Sequence, residues 1–346
     1  MRNLLFAGLA MLLLLPSQAA AGGNEPDAKI ASIAAAPITP VTTTAPPAAK
    51  PAAVLPFFDF PWADIGVGYW HTNSKLNSYV YAPADWVENG SLRAYQGDVI
   101  SKLRNKLGSE MLLINAEAHI FWRLYVDGFV GLGDFGGEHK DYDWQPQERP
   151  DLISLSASDA DGIVRTWNVN GNIRLLEDPR KKFYLDLALG YLFYRDDITH
   201  LHNTTLEIAG YQQEYTWLAG HNSSDKYTFQ GFRIGLRGKM EVLKGIAVKA
   251  NAGVVPGLTG ENRGYWNLRE IDFLGDTNGV GCDLTGGLEF SITKHLSIEG
   301  GYKYMRFITH EGDQTTTTID GTTKHLNGCS FDAERGGFYV MGRIRI

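Results

Sequence analysis

The feature that most constrains this chain is a period-two alternation of apolar and polar residues in long segments. Across residues 183–193, Phe183, Leu185, Leu187, Leu189, Tyr191 and Phe193 share one face, while Tyr184, Asp186, Ala188, Gly190 and Leu192 share the other. Such alternation is the signature of β-strands. Ten segments carry it, near 62–70, 109–121, 123–133, 162–175, 182–196, 227–240, 245–258, 280–293, 295–309 and 335–346. Each is about nine to fifteen residues long, whereas soluble strands average about five or six and a tilted membrane strand needs about nine to eleven. Short connections around Trp122, Glu177–Arg180, Glu241–Lys244 and Lys294 alternate with five of about 20 to 40 residues, rich in Gly, Asn, Asp and Ser. The pattern predicts an all-β fold: a ten-stranded antiparallel transmembrane β-barrel with five long outer loops and four short periplasmic turns. It places the chain in the outer membrane of a Gram-negative bacterial cell. A secreted β-sandwich or lipocalin-like barrel explains neither the strand length nor the one-sided loops.

Residues 1–21 read as a signal peptide. Arg2 is its positive start, Leu4 to Leu15 its apolar stretch, Pro16 a breaker, and Ala19, Ala20 and Ala21 the small residues before cleavage. Beyond them no apolar run approaches the roughly 20 residues of a spanning helix. Residues 22–56, rich in Ala, Pro and Thr, read as a disordered tether, and 57–346 as the barrel. The net charge of −7 excludes nucleic acid as a partner, because that needs a basic footprint.

On a membrane barrel the apolar face meets lipid and the other face lines the lumen. The lumen set then holds seven acids (Asp64, Glu117, Asp127, Asp186, Asp283, Glu289, Glu299) and eight bases (Arg174, Arg233, Arg237, Lys239, Lys249, Lys303, Arg343, Arg345). Open porins need about 16–18 strands. Balanced charge inside a ten-strand cylinder therefore predicts a salt-bridged plug. Trp62, Tyr69, Trp70, Trp122, Tyr125, Tyr302 and Tyr304, near strand ends, suit interfacial aromatic girdles.

Ten strands with five outer loops, together with Lys140-Asp141-Tyr142-Asp143-Trp144 on the second of them, resemble the omptin family of outer-membrane proteases and adhesins. The resemblance implies that Asp141 and Asp143 match an Asp pair that activates water opposite an Asp-x-His pair on the fourth loop. Here that loop reads Gly260-Glu261-Asn262-Arg263-Gly264-Tyr265-Trp266, so Arg263 and Tyr265 stand where the family has Asp and His. Arg is always protonated and the pKa of Tyr is far above neutrality, so neither replaces the imidazole. The resemblance then implies a non-peptidase member with no confident catalytic residue, in which Asp141 and Asp143 either pair with Arg263 across the mouth or stay solvated. Chlamydia-type outer-membrane proteins are further candidates for relatives. Other histidines (His71, His139, His200, His202, His221, His310, His325) fall on expected loops or strand tops.

Cys282 and Cys329 lie on the outer side in an oxidising compartment, so a disulfide between them is the expected state, with two free thiols the alternative. His200-x-His202 lacks a third ligand, so no metal is expected, and no cofactor. Lys102, Arg104 and Lys106 form a basic cluster that suits lipopolysaccharide phosphates. The expected partners are outer-membrane lipids and an unidentified extracellular ligand, and the expected state is a monomer. Three functions compete: a surface-binding, adhesin-like envelope protein, a narrow porin or channel, and an active omptin-type endopeptidase.

Overall fold

The computed structural model describes residues 62–81, 99–145, 151–201, 204–208, 211–215, 223–267, 270–310 and 312–346. The leader, the Ala/Pro/Thr-rich segment, His202 and His221 lie outside the described residues. Thirteen strands run in chain order: β1 Ala63–Tyr81, β2 Val99–Phe121, β3 Leu124–Gln145, β4 Asp151–Asp178, β5 Phe183–His200, β6 Thr204–Ile208, β7 Tyr211–Tyr215, β8 Ser223–Leu243, β9 Ile246–Trp266, β10 Ile271–Ser291, β11 Leu296–Thr309, β12 Gly312–Thr318 and β13 Thr323–Arg345. Ten of them pair antiparallel in the order β3-β2-β1-β13-β11-β10-β9-β8-β5-β4, and the β3–β4 pairing closes the barrel. β12 extends the wall above β11 between β10 and β13, and β6–β7 is a hairpin attached to β4.

The turns at one end use local backbone chemistry. Trp122 takes a left-handed conformation (φ 47°) between β2 and β3. Between β4 and β5 the Asp178 carboxylate accepts the Arg180 N–H at 3.0 Å, and Lys182 (φ 42°) ends a single 3-10 turn. Gly245 (φ 80°) makes the β8–β9 turn, where a side chain would be strained.

The outer wall near this end is apolar. Phe232 is 77% exposed and Phe338 72%, with Ile65, Val130, Ile234, Leu288 and Val340 exposed around them. On β10 the band runs from Val280 to Phe290. At ~3.4 Å per residue and a ~40° tilt that is about 26 Å, the height of a lipid-facing belt.

Above the belt the two faces exchange character. On β1, Ile65, Val67 and Tyr69 point outward, but higher up His71, Asn73 and Lys75 do, while Trp70, Leu76 and Val80 turn inward and are buried. β2 does the same, with Leu112 and Ile114 outside below and Leu107 and Met111 inside above. This exchange corrects the expected strand ends. β1 continues to Tyr81, β3 to Gln145, and β4 begins at Asp151, so most of the residues assigned to long outer loops there are strand. The lipid-facing pattern stops at the membrane surface, whereas the hydrogen-bonded ladder goes on into water with an ordinary apolar interior.

The interior is filled at two levels. In the lower half each of the seven expected lumen acids is ion-paired. Arg237 binds Glu117 (2.9 Å), Asp127 (2.8 Å) and Asp186 (2.9 Å), and Arg174 also binds Asp186 at 2.6 Å. Arg233 holds Asp283 at 2.6 Å. Lys249 bridges Glu289 and Glu299, while Arg343 spans Asp64 and Glu299. Higher up lies an apolar layer, with Phe229 and Phe307 stacked at 5.1 Å beside Tyr194, Met305, Trp70 and Met111. Arg335 is buried within it, bound to Asp196 (3.1 Å), Tyr194 (2.8 Å) and Thr72 (2.8 Å).

The cysteines are both free thiols, which corrects the disulfide expectation. Cys282 shares the outer face of β10 with Val280 and Leu284, whereas Cys329 is buried inside with Phe331 and Ala333. The wall separates the two sulfurs, and no rotamer spans it.

Candidate functional site

The two-residue repeat places His139, Asp141 and Asp143 in succession on the inner face of β3, above the apolar layer. They stand on strand rather than loop. Ladder partners are Asn105 for His139, Leu103 for Asp141 and Ser101 for Asp143 on β2, with Ser158, Ser156 and Ser154 on β4. Asp141 is buried and accepts a hydrogen bond from the Ser101 hydroxyl at 3.4 Å. His200, the last residue of β5, continues the inward even-numbered series, and Asp225 continues the inward odd-numbered series of β8.

These strands bring two imidazoles together. The rings of His139 and His200 lie 3.8 Å apart, centroid to centroid. His200 Nε2 is 2.9 Å from Asp225 Oδ2, and the Asn262 amide donates to Asp225 Oδ1 at 3.3 Å. A carboxylate only accepts, so the proton of this pair sits on Nε2. Nδ1 of His200 is buried and has no hydrogen-bond partner among the described residues. His139 Nδ1 meets Asn105 Oδ1 at 2.9 Å. Burial, and then the neighbouring His200, hold the His139 pKa well below the ordinary imidazole value, so this ring is neutral at pH 7 and donates through Nδ1.

His139, Asp143, His200 and Asp225 open on a cleft of about 360 Å³. Hydroxyls of Ser78, Ser156, Ser158 and Ser223 line the same wall, and Val80, Ile271, Phe273 and Phe331 face them. A carboxylate–imidazole pair with a free ring nitrogen is the arrangement of a general base, because the carboxylate fixes the tautomer and steadies the charged ring.

The remaining expected site residues are placed differently. Arg263 points outward and pairs with Glu261, not with Asp141 or Asp143. The cause is an irregularity in β9. Pro256 and Gly257 are exposed in succession, and the register slips there, so that Asn262 rather than Arg263 faces inward. Tyr265 stands at the cleft rim. Lys102, Arg104 and Lys106 lie on the outer face of β2 above the belt, with Lys102 5.1 Å over the Tyr79 ring. A second outer cluster was not singled out from the sequence: Asp197 is shared by Arg165 (3.2 Å), Arg195 (2.9 Å) and Lys226 (4.0 Å). It lies just above the stacked Trp167 and Phe193. Among the histidines, His71 bonds Glu110 on the outer wall and His325 bonds Thr315. Among the described residues no group of three or more His, Cys, Asp or Glu could hold a metal.

No protein-family model and no curated protein matches the sequence. Among solved structures, the outer membrane protease OmpT from Escherichia coli aligns with a TM-score of 0.73 over 82% of this chain and 96% of that one, at 13% identity. The architecture is the omptin barrel. A FadL homologue from Pseudomonas aeruginosa (TM-score 0.30, 10% identity, 83% and 93% covered) and the translocator domain of autotransporter NalP from Neisseria meningitidis (TM-score 0.32, 10% identity, 82% and 88% covered) also align. The omptin likeness, at this identity, establishes fold. With the closed wall and its lipid belt, it makes this chain an outer-membrane β-barrel.

Proposed function

We propose that this omptin-like barrel is closed to diffusion and works as a surface-binding envelope protein through its extracellular cleft. The observation that carries this reading is the lumen network, in which each of the seven acids is ion-paired, capped by the Phe229–Phe307 layer. A water-filled path needs unpaired polar walls, and neutralised charge under an apolar cap does not supply one. The five outer connections then form the binding end and the four turns face the periplasm. Refolded barrel in planar bilayers is expected to give no step conductance, and discrete steps would replace this reading with a narrow channel.

The His200–Asp225 pair favours a second reading, an endopeptidase, and OmpT is an outer membrane protease. His200 Nδ1 is buried in this structure, so a shift of the ring that admits cleft water would let it take a proton while Asp225 steadies the ring. Arg263 and Tyr265 take no part, and the imidazole comes from β5 rather than the fourth loop. Incubation of the refolded barrel with fluorogenic peptides containing Arg and Lys decides between the readings. Cleavage that His200→Ala abolishes establishes the peptidase, and its absence leaves the binding function.

The outer basic clusters support contact with lipid phosphates, lipopolysaccharide among them. Closure of the wall leaves no free barrel strand for edge pairing and supports a monomer.

A further inference from the structure

Lys303 is the one expected lumen base without an ion pair among the described residues. It projects inward from β11 opposite Thr285 and is only 7% exposed. Its ammonium stands 3.7 Å from the centre of the Phe129 ring and 5.9 Å from that of Trp70. Carboxylates elsewhere in the lumen are engaged. Arg233 holds both oxygens of Asp283, at 2.6 and 2.8 Å. Asp127 accepts from Arg237 at 2.8 Å and from Asn170 at 2.6 Å. Glu299 accepts from Lys249, Arg343 and Tyr339. Ring faces offset only part of an ammonium charge, and an uncompensated ion in a low-dielectric interior is unfavourable.

Lys303 also lines a chamber of about 120 Å³ with Asn168, Asn251 and Thr285; Glu117, Asp127 and Glu299 reach it too, each already paired with Arg237, Lys249 or Arg343. At about 30 Å³ per water, it admits roughly four water-sized bodies. Side-chain amides and a hydroxyl supply donors beside the ammonium.

We propose that this chamber binds a single small monovalent anion, of halide size, as the counter-ion of Lys303. One negative charge compensates the one lumen ammonium that has no ionic partner among the described residues. A divalent anion would overshoot that balance, and a halide leaves room in the chamber for waters around it. The site is independent of the cleft, from which the apolar layer separates it.

Bromide is the probe. Crystals of the full chain grown with sodium bromide are expected to show an anomalous peak in the chamber beside Lys303 Nζ, and crystals of Lys303→Met are expected to lack it. In solution, bromide in place of sulfate at constant ionic strength is expected to shift the unfolding temperature of the parent barrel more favourably than that of Lys303→Met, the general salt effect being common to both. Absence of the peak in the parent overturns the proposal. So does a peak that persists in Lys303→Met, or an equal bromide response in both proteins.

Discussion

His200 at the end of β5 and Asp225 near the start of β8 share a 2.9 Å hydrogen bond, and that bond is the contact that orients an imidazole toward the cleft. If the barrel is a peptidase, Asp225→Asn keeps the shape but no longer stabilises the charged ring or its tautomer. Turnover is expected to fall by about 10²–10⁴-fold, the usual worth of a positioned base, with a smaller change in KM. Steady-state cleavage of a fluorogenic peptide measures both.

His139 makes the mouth sensitive to acid. Its folded pKa lies below that of the unfolded chain, so below about pH 6.5 the unfolded chain binds a proton that the folded one does not. Stability is therefore full above that pH and declines as pH falls, by up to about 1.4 kcal/mol per unit for this one group. Protection factors for hydrogen exchange at the upper ends of β3 and β5, referred to the intrinsic exchange rate at each pH, are expected to fall between pH 7 and pH 5. His139→Gln is expected to flatten that dependence. The groups packed nearby, His200, Asp141 and Asp225, remain in that variant.

Arg237 joins three carboxylates from three strands. Arg237→Met leaves Glu117 and Asp127 without their cation and is expected to cost about 3–5 kcal/mol. The urea midpoint in detergent measures it. The same variant is the one most apt to open the lumen, so a bilayer recording should accompany it.

Phe229 stacks on Phe307 above the membrane level. Phe229→Ala is expected to cost about 3–5 kcal/mol by leaving a cavity. The loss should fall on the extracellular half. Membrane insertion, which depends on the belt, should survive, as heat-modifiable migration on gels would report.

Lys102, Arg104 and Lys106 sit on the outer wall, where phosphates of the outer leaflet come within reach. Replacing all three by Ser is expected to reduce lipopolysaccharide bound to purified barrel, assayed as phosphate. The difference should shrink at high salt, because such contacts are screened.

Much of this was written in residue parity. The lumen list follows from odd and even positions on each strand, and parity alone also places Cys282 with Val280 on the lipid side. Strand ends were not legible, because above Tyr69 the same ladder carries the opposite polarity and reads as loop. His139 was within reach, two positions before Asp141 on one face. The meeting of His200 with Asp225 depends on the register between β5 and β8, which no local pattern encodes. The outward turn of Arg263 depends on the slip at Pro256 and Gly257, which breaks the parity that otherwise holds along β9.

The exchange of faces along β1 and β2 also acts as a depth gauge. Sinking the cylinder by one rung would draw Lys75 and Lys106 toward hydrocarbon, and raising it would lift Ile65 and Ile114 toward water. Either shift is opposed, so the protein carries its own waterline, and the cleft is held at a fixed height above the cell surface.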